Sequence, residues 1–394
     1  MFNRSGLLIF LLAFSAVVYA QNKIFVDTTY SSPEQRTIKN ICHYTISGDD
    51  TLKEGPAIYY YSNGNIWQTG FYHNDLLDSL WTTYFPTGAI KTKTHYNDGV
   101  KNGPFISFYE NGKVNFEAFY KNDSLTGEAK FYNKEGHLLE SRMYKGNKLN
   151  GLLTGYYPSG SLHYRFEYVD SLKNGIYEKY YENGLLQEKA TIHDPYFVGE
   201  YVSYYENGQI EEIYHYKGQE IDGPYRVYHE NGNVMIKVNY EDGRANGLWQ
   251  QFHPNGALYE EGKMTFGKRS GKWKSYYPDS VLYMDGSYAN GLPSGYWLVY
   301  YENGNLKQSG SFIQGKATGK WIFYYPNGNH KKQGMYENDL KNGLWTEFYE
   351  SGKIKFELHY DKGKLNGIAT AFNEDGVVLE KAEFKDNQLV RKIK

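Results

Sequence analysis

The sequence from 319 to 328 reads Gly319-Lys320-Trp321-Ile322-Phe323-Tyr324-Tyr325-Pro326-Asn327-Gly328, an aromatic run followed by a turn. Aromatic and β-branched residues are typical of strands. Proline suits the second position of a type I turn, and the glycine then takes the left-handed conformation of a G1 bulge. The stretch therefore predicts a β-hairpin with a three-residue loop.

This pattern recurs every 24 residues through fourteen units, without an insertion or a deletion. A second glycine follows nine residues after the first in every unit except the one with Ser280. Self-similarity at a fixed period is the signature of a repeat architecture. The first position of the units holds Gly55, Ser79, Gly103, Gly127, Gly151, Gly175, Gly199, Gly223, Gly247, Gly271, Gly295, Gly319, Gly343 and Gly367.

The predicted loop also sets the pairing inside each hairpin. It places the residue five after the first glycine opposite the residue eleven after it. The fifth position is aromatic in every unit, and the eleventh is aliphatic in all but one, where it is His330. Positions eleven, fifteen and seventeen share a parity, so they face one side of a sheet, and we expect that side to be the core. With regular pleating, positions two and six face the other side.

The predicted fold is all-β: an elongated single-array antiparallel β-sheet solenoid of about fourteen 24-residue β-hairpin repeats, covering residues 55–390. Residues 21–54 precede the repeat register and are expected to form an N-terminal lead-in or cap. Residues 391–394 make a short C-terminal tail.

The first twenty residues have the pattern of a secretory signal peptide. Arg4 gives a short positive region, an apolar segment runs from Leu7 to Val18, and Val18-Tyr19-Ala20 places small residues before Gln21. The apolar segment is shorter than the roughly 20 residues that a spanning helix needs. We therefore expect an exported protein that is periplasmic, cell-surface or secreted, and that does not associate with a membrane after cleavage.

Composition and motifs indicate no enzyme active site. The 43 Lys and Arg nearly balance the 45 Asp and Glu, which offers no electrostatic footprint for nucleic acid. Cys42 is the only cysteine, and the eleven histidines are dispersed. Two Gly-x-x-x-x-Gly-Lys matches, beginning at Gly262 and Gly310, lack the following Ser or Thr and the strand-to-helix setting of a phosphate loop. We expect no catalytic residue, no metal site and no cofactor.

One aromatic pattern is a candidate binding site. The second position carries tryptophan in five consecutive units, and the sixth position carries tyrosine in four of them. The structural interpretation is a cross-strand ladder that stiffens the sheet, or a core column if a bulge lies inside the first strand. The functional interpretation is an exposed strip, for which Trp297→Ala should be milder than Tyr300→Ala. The strip comprises Trp249, Trp273, Trp297, Trp321, Trp345, Tyr277, Tyr301, Tyr325 and Tyr349.

The segment from Gly310 to Gly319, followed by Tyr325-Pro326-Asn327-Gly328, resembles a MORN repeat. The period of 24 and the aromatic Trp321 in place of the motif's last glycine resemble the bacterial MORN-variant family, some of whose members are labelled antitoxins. The resemblance implies an elongated antiparallel array that binds other molecules and has no catalytic residues. The expected function is a non-enzymatic scaffold for protein–protein interaction. The alternatives are binding of an envelope glycan or choline-type ligand through the aromatic strip, and neutralisation of a partner toxin.

Overall fold

The computed structural model of the chain describes residues 25–30 and 38–394, and every regular element in those ranges is a β-strand. The predicted signal peptide, residues 1–20, lies outside the described residues. The chain divides into two compact units, the first ending at Gly151 and the second beginning at Leu152. Within the segment expected to cap the array, the described elements are two strands and the start of a third.

The strands that begin in the first unit pair antiparallel in chain order from β1 to β10. They are β1 (Phe25–Tyr30), β2 (Ile38–Ser47), β3 (Asp50–Tyr60), β4 (Ile66–His73), β5 (Leu76–Tyr84), β6 (Ile90–Asn97), β7 (Val100–Phe108), β8 (Val114–Lys121), β9 (Ser124–Tyr132), β10 (Leu138–Lys145) and β11 (Lys148–Tyr156), the last of which contains the division.

The second unit continues the same alternation. Its strands are β12 (Leu162–Val169), β13 (Leu172–Tyr180), β14 (Leu186–His193), β15 (Tyr196–Tyr204), β16 (Ile210–Lys217), β17 (Glu220–Ile221), β18 (Gly223–Tyr228), β19 (Val234–Glu241), β20 (Arg244–Phe252), β21 (Leu258–Thr265), β22 (Lys268–Tyr276), β23 (Leu282–Ala289), β24 (Leu292–Tyr300), β25 (Leu306–Ile313), β26 (Lys316–Tyr324), β27 (His330–Glu337), β28 (Leu340–Phe348), β29 (Ile354–Asp361), β30 (Lys364–Phe372), β31 (Val378–Lys385) and β32 (Gln388–Lys392).

The Pro-Asn-Gly turns have the predicted geometry. The Gly328 amide donates to the Tyr325 carbonyl (2.9 Å), and the Tyr325 amide donates to the Asn329 carbonyl (2.8 Å). Gly328 has φ of 91°, the left-handed conformation that favours glycine. Tyr324 stands opposite His330, so the predicted pairing of positions five and eleven is confirmed.

The opposite ends of the strands are joined by tighter turns. Between β25 and β26 only Gln314 and Gly315 remain, with φ of 49° and 81°. Two successive positive φ values define a type I′ turn, whose twist matches that of the flanking strands. The polar residues Gln314 and Gly315 are therefore the turn that joins one hairpin to the next.

The prediction of which side chains face the core is wrong at position two, and a β-bulge is the reason. Tyr324 pairs with His330, but Phe323 pairs with Lys332, so one extra residue enters β27 between them. Without the bulge, Trp321 would stand opposite Gln333. With it, Trp321 stands opposite Gly334 and shares the face of position fifteen.

We call this side of the sheet the packed face and the other side the outer face. Trp273, Trp297, Trp321 and Trp345 on the packed face are between 0% and 7% exposed. The fifth-position aromatics, which the sequence places in the core, are half-buried in every unit. In the second compact unit, residues 152–394, the most deeply buried side chains are therefore the tryptophans at position two of the repeats.

Candidate functional site

The hypothesis of an exposed tryptophan strip is corrected by the structure. Trp273, Trp297, Trp321 and Trp345 are buried, and Trp249 is half-buried. An indole that is enclosed by its own chain cannot present a ring face to a ligand. The column is core because the bulge described above turns position two to the packed face.

Each of the four buried indoles lies over a glycine of the preceding unit. A Cβ added to Gly310 would stand 2.1 Å from Cδ2 of Trp321, and one added to Gly334 would stand 2.3 Å from that of Trp345. Real Cβ atoms do not approach other atoms so closely, so position fifteen must lack a side chain where the tryptophan that follows is fully buried. Val238 takes the glycine's place before Trp249, and that indole is the least buried of the five.

Two of the buried indoles, Trp273 and Trp345, are also held by polar or cationic contacts. Nε1 of Trp273 and Nε1 of Trp345 donate to the carbonyls of Lys263 (3.3 Å) and Met335 (3.1 Å). The Arg269 guanidinium lies 4.1 Å from the Trp273 ring centre, at a cation–π distance. These contacts fix the rings in place and leave them a structural role.

The tyrosines of position six are placed at the hairpin tips and join one unit to the next. The Tyr301 hydroxyl donates to the Tyr324 carbonyl (2.9 Å), and the Tyr325 hydroxyl donates to the Phe348 carbonyl (2.9 Å). Tyr277 and Tyr349 make the same bond to the following unit, at 3.0 and 2.8 Å. All four are half-buried, and their hydroxyls are engaged. The expected strip at position six is a structural ladder.

The sequence analysis considered a ladder of aromatic pairs but missed these hydrogen bonds to the next repeat, although their signal is a column of hydroxyl and imidazole side chains. His229 and His253 occupy the same column, and their Nε2 atoms lie 3.0 and 3.1 Å from the next unit's carbonyl oxygens. The turn asparagines add a second rung, since Asn303 Nδ2 donates to the Pro326 carbonyl (2.9 Å). The hairpin tips are thus tied together through side chains.

The outer face carries the exposed apolar side chains. The residue after the first glycine is Leu248, Lys272, Tyr296, Lys320 and Leu344 in five successive units, and all five are exposed. Leu248 is 58% and Tyr296 59% exposed, and Met335, directly opposite Lys320, is exposed as well. We call these six residues the outer row. The five residues that follow the first glycine are two strand spacings apart, about 10 Å, and Met335 lies one strand from Lys320.

A different arrangement occupies the packed face between residues 177 and 240, which we call the Tyr–Glu segment. The rings of Tyr201 and Tyr214 stack with centres 4.9 Å apart, and Tyr225 stacks on Tyr214 at 5.6 Å. Carboxylates stand beside this stack: the Tyr177 hydroxyl donates to Glu188 (2.8 Å), and Lys179 Nζ lies 3.3 Å from the same carboxylate. The packed face is polar here.

Burial controls the protonation of this segment. It raises the pKa of Tyr201 and Tyr225, and the nearby Glu188 and Glu212 carboxylates raise them further. Burial also raises the pKa of Glu212; the Tyr225 hydroxyl acts against this, and the Glu211 carboxylate adds to it. At Glu178, hydrogen bonds from Arg165 and Tyr180 outweigh burial and leave the pKa lowered.

Neither a metal centre nor a membrane span is found in the part of the chain that the structure describes. No three His, Cys, Asp or Glu side chains come together there to hold an ion. No helix capable of spanning a membrane occurs there either.

The fold and these surfaces define a class of protein: a repeat scaffold of stacked antiparallel β-hairpins. The model of the MORN repeat variant family matches the chain in thirteen segments, and the chain belongs to that family. The repeat without a match lies around 125–146, between the third and the fourth matched segments. The matched residues are 53–74, 77–98, 101–122, 149–170, 173–194, 197–217, 221–242, 245–264, 269–290, 293–314, 317–338, 341–362 and 365–386.

Comparison with other proteins adds little to this assignment. No curated protein matches the chain. Among solved structures, TcdB2-TccC3 without its hypervariable C-terminal region is 9% identical over 87% of this chain, with a TM-score of 0.15. TcdB2-TccC3-TEV is 11% identical over 93% of the chain, with a TM-score of 0.16. The chain spans 22% of the length of each of these two proteins.

Proposed function

We propose that this chain is an exported, non-enzymatic scaffold that binds another protein along the outer row. The observation that carries the proposal is the set of four exposed apolar side chains in the outer row, which are Leu248, Tyr296, Met335 and Leu344. Apolar side chains grouped on a surface mark interaction sites more often than scattered ones do. A repeat sheet suits this role because it offers an extended surface.

The charges of the row indicate the chemistry of the partner. Lys272 and Lys320 are members of the row, and Lys263 stands directly opposite Leu248. Across these five units, positions one and sixteen hold no acidic residue. The row therefore fits a protein surface that combines apolar side chains with carboxylates, because opposite charges steer association and apolar contacts hold the complex.

The experiment places a photo-crosslinking amino acid at position 296 of the full-length protein and, as a control, at position 196. Tyr196 is an exposed tyrosine in the same compact unit, residues 152–394, and it lies outside the row. We expect a discrete protein adduct at 296 and none at 196. Adducts of equal yield at both positions would contradict the assignment of the row.

The identified partner then allows a quantitative measurement. Tyr296→Ser is expected to weaken its affinity by roughly thirtyfold, the effect of losing a central aromatic worth about 2 kcal/mol. Tyr196→Ser should leave the affinity unchanged. The melting temperature of both variants should stay near that of the wild type, since both side chains are exposed. Unchanged affinity of Tyr296→Ser would exclude the row as the binding surface.

Export is proposed from the pattern of the first twenty residues. Sequencing the N-terminus of the protein recovered outside the cytoplasm should give Gln21 as the first residue. Replacing Val18-Tyr19-Ala20 by bulky residues should retain the full-length chain. Recovery of an unprocessed protein from the cytoplasm alone would contradict the proposal.

A further inference from the structure

Positions one and sixteen continue along the outer face beyond the outer row, toward the start of the second compact unit, residues 152–394. On that side they carry carboxylates in place of lysines. Glu200 is exposed and Glu167 is half-buried, while Leu152 and Ile176 are 41% and 44% exposed. This stretch therefore has the chemistry that the outer row fits, apolar side chains together with carboxylates. We call these four residues the acidic row.

The sign of the charge changes at one hairpin. Pro224 and Asn239, which stand opposite each other there, are exposed and uncharged. Before this hairpin, positions one and sixteen of the second compact unit hold Glu167 and Glu200 and no lysine. After it, as far as Leu344, they hold lysines and no carboxylate. Along these positions the outer face is therefore acidic on one side of the hairpin and basic on the other.

A twofold axis at this hairpin, parallel to its strands, would lay the outer faces of two copies together with their repeat orders reversed. Each strand then faces the strand equally far on the other side of the axis, with β17 and β18 counted as one because both pair with β16. Glu200 and Lys263 each lie on the third strand from the axis, and Glu167 and Tyr296 each on the sixth. Glu200 of one copy would therefore face Lys263 of the other, and Glu167 would face Tyr296.

The charges of Glu200 and Lys263 cannot meet within one chain. Five strand spacings separate β15 from β21, about 24 Å along the sheet. Lys263 is exposed and makes no ion pair with residues 38–394, and the ionic contact of Glu200 is with His215 Nε2 (3.8 Å), which requires a protonated imidazole. Two facing sheets, by contrast, lie about 10 Å apart, a gap that a lysine and a glutamate extended from opposite sides can close.

The second contact involves the most exposed aromatic side chain of the outer row. Tyr296 is 59% exposed, and its phenolic hydroxyl can both donate and accept a hydrogen bond. The Glu167 carboxylate accepts a hydrogen bond from the Ile176 amide (3.3 Å), which leaves further acceptor positions on its two oxygens. A tyrosine from a facing copy matches these free positions.

We propose that the protein bound along the outer row is a second copy of this chain, docked on the acidic row about a twofold axis at Pro224 and Asn239. This inference rests on the proposed function, because it uses the same row. A twofold interface contains every contact twice, so one weak exposed pair counts double. Because the ionic contact is exposed, the dimer should dissociate more readily as the salt concentration rises.

Sedimentation velocity of the full-length protein over a range of concentrations measures the association. We expect a monomer–dimer equilibrium for the wild type. Lys263→Glu and Glu200→Lys each place like charges at both copies of the contact, so each should raise the dissociation constant of the dimer roughly tenfold or more. The double variant restores opposite charges and should return to within about threefold of the wild type.

A matched pair of charge reversals is the control. Glu302→Lys and Lys316→Glu make the same changes of charge at exposed positions outside both rows, and should leave the dissociation constant unchanged. A wild-type protein that stays monomeric at every concentration would overturn the proposal, as would single variants that dimerise like the wild type. Lack of recovery in the double variant would overturn it too. Recovery excludes misfolding as the cause, because a second reversal does not refold a misfolded chain.

The photo-crosslinking amino acid at position 296 distinguishes this inference from the proposed function. An adduct of two copies of the chain, joined near Glu167, supports both. An adduct with a different protein would overturn the second copy and retain the outer row as a binding surface. The absence of any adduct would overturn both.

Discussion

Two stretches of the second compact unit, residues 152–394, fill the packed face with different side chains. From 262 to 345, which we call the Trp–Gly segment, each indole of position two covers a glycine of position fifteen, and the packed face is closed by rings. In the Tyr–Glu segment, position fifteen holds Ala190, Tyr214 and Val238, and position two holds tyrosines that are only half-buried.

The backbone register is the same in both stretches. Trp321 pairs with Gly334, and Tyr201 pairs with Tyr214, each at positions two and fifteen. The side chains at this pair differ: an indole covers a glycine in one segment, and a tyrosine stacks on a tyrosine in the other. The turns and bulges therefore specify the fold, and the side chains on the packed face determine whether a given stretch of it is apolar or polar.

The largest expected difference between the two segments is the cost of truncating position two. Trp297→Ala should lower the free energy of unfolding by about 3–5 kcal/mol, the range for a buried large aromatic. Tyr201→Ala should cost less, because its ring is only half-buried. Tyr300→Ala should also cost less than Trp297→Ala, the reverse of the order expected for an exposed strip.

Urea unfolding followed by circular dichroism measures all three changes. Lys320→Ala, at an exposed position of β26, is the control and should be nearly neutral. A cost for Trp297→Ala below that of Tyr201→Ala would remove the distinction between the segments.

The next effect concerns the glycine under each indole. Gly310→Ala places a Cβ 2.1 Å from Trp321, and the resulting overpacking should cost about 1–3 kcal/mol. Gly310 has no positive φ in the structure, so steric contact is the cause of the cost. In the background of Trp321→Ala, Gly310→Ala should cost close to nothing. Equal costs in both backgrounds, measured by urea unfolding, would show that the indole does not require the glycine.

The tip ladder should behave alike in both segments. Tyr205 and Tyr325 donate to the Tyr228 and Phe348 carbonyls, at 2.7 and 2.9 Å. Tyr205→Phe and Tyr325→Phe should therefore each cost about 0.5–1.5 kcal/mol, the contribution of one hydrogen bond. Thermal unfolding of the pair checks this. A difference larger than that range would mean that the tips, too, differ between the segments.

These comparisons show where sequence reasoning succeeds and where it stops. The all-β hairpin repeat, the Pro-Asn-Gly turn and the pairing of positions five and eleven follow from the period and from the backbone preferences of proline and glycine. The face of position two does not follow, because one extra residue in β27, Lys331, lies between the partners of Tyr324 and Phe323 and reverses the parity. A period-two pattern cannot reveal such a bulge.

The sequence did contain a signal for the buried column. Glycine at position fifteen is followed eleven residues later by tryptophan at Gly262 and Trp273, and again at Gly310 and Trp321. When tryptophan recurs at a fixed distance after a glycine, the pattern indicates that the two positions are in contact. The unpaired charge of Glu212 had no comparable signal, since it depends on which glutamates lie near a basic side chain in the folded chain.

The smallest expected effect is a pH dependence specific to the Tyr–Glu segment. Burial raises the pKa of Glu212 above its ordinary value of 4.5. Between 4.5 and the raised value, the folded state binds more protons at this group than the unfolded state does. The stability contributed by Glu212 is therefore greatest below pH 4.5 and falls as the pH rises through the folded pKa. The titratable groups that act on Glu212 are the Tyr225 hydroxyl and the Glu211 carboxylate. Glu188, Tyr201 and Tyr214 line the same part of the packed face.

Glu212→Gln removes this one titration and leaves the others in place. The variant should melt above the wild type at pH 7, and the difference should shrink as the pH falls to 4, because the wild-type carboxyl is then protonated and neutral like the amide. Glu302→Gln should show a difference that does not change with pH. Melting curves of the three proteins across this range measure the effect. A wild-type advantage at pH 7 that grows with pH would mean that the charge of Glu212 stabilises the fold, and the Tyr–Glu segment would then resemble the paired carboxylates elsewhere in the repeat.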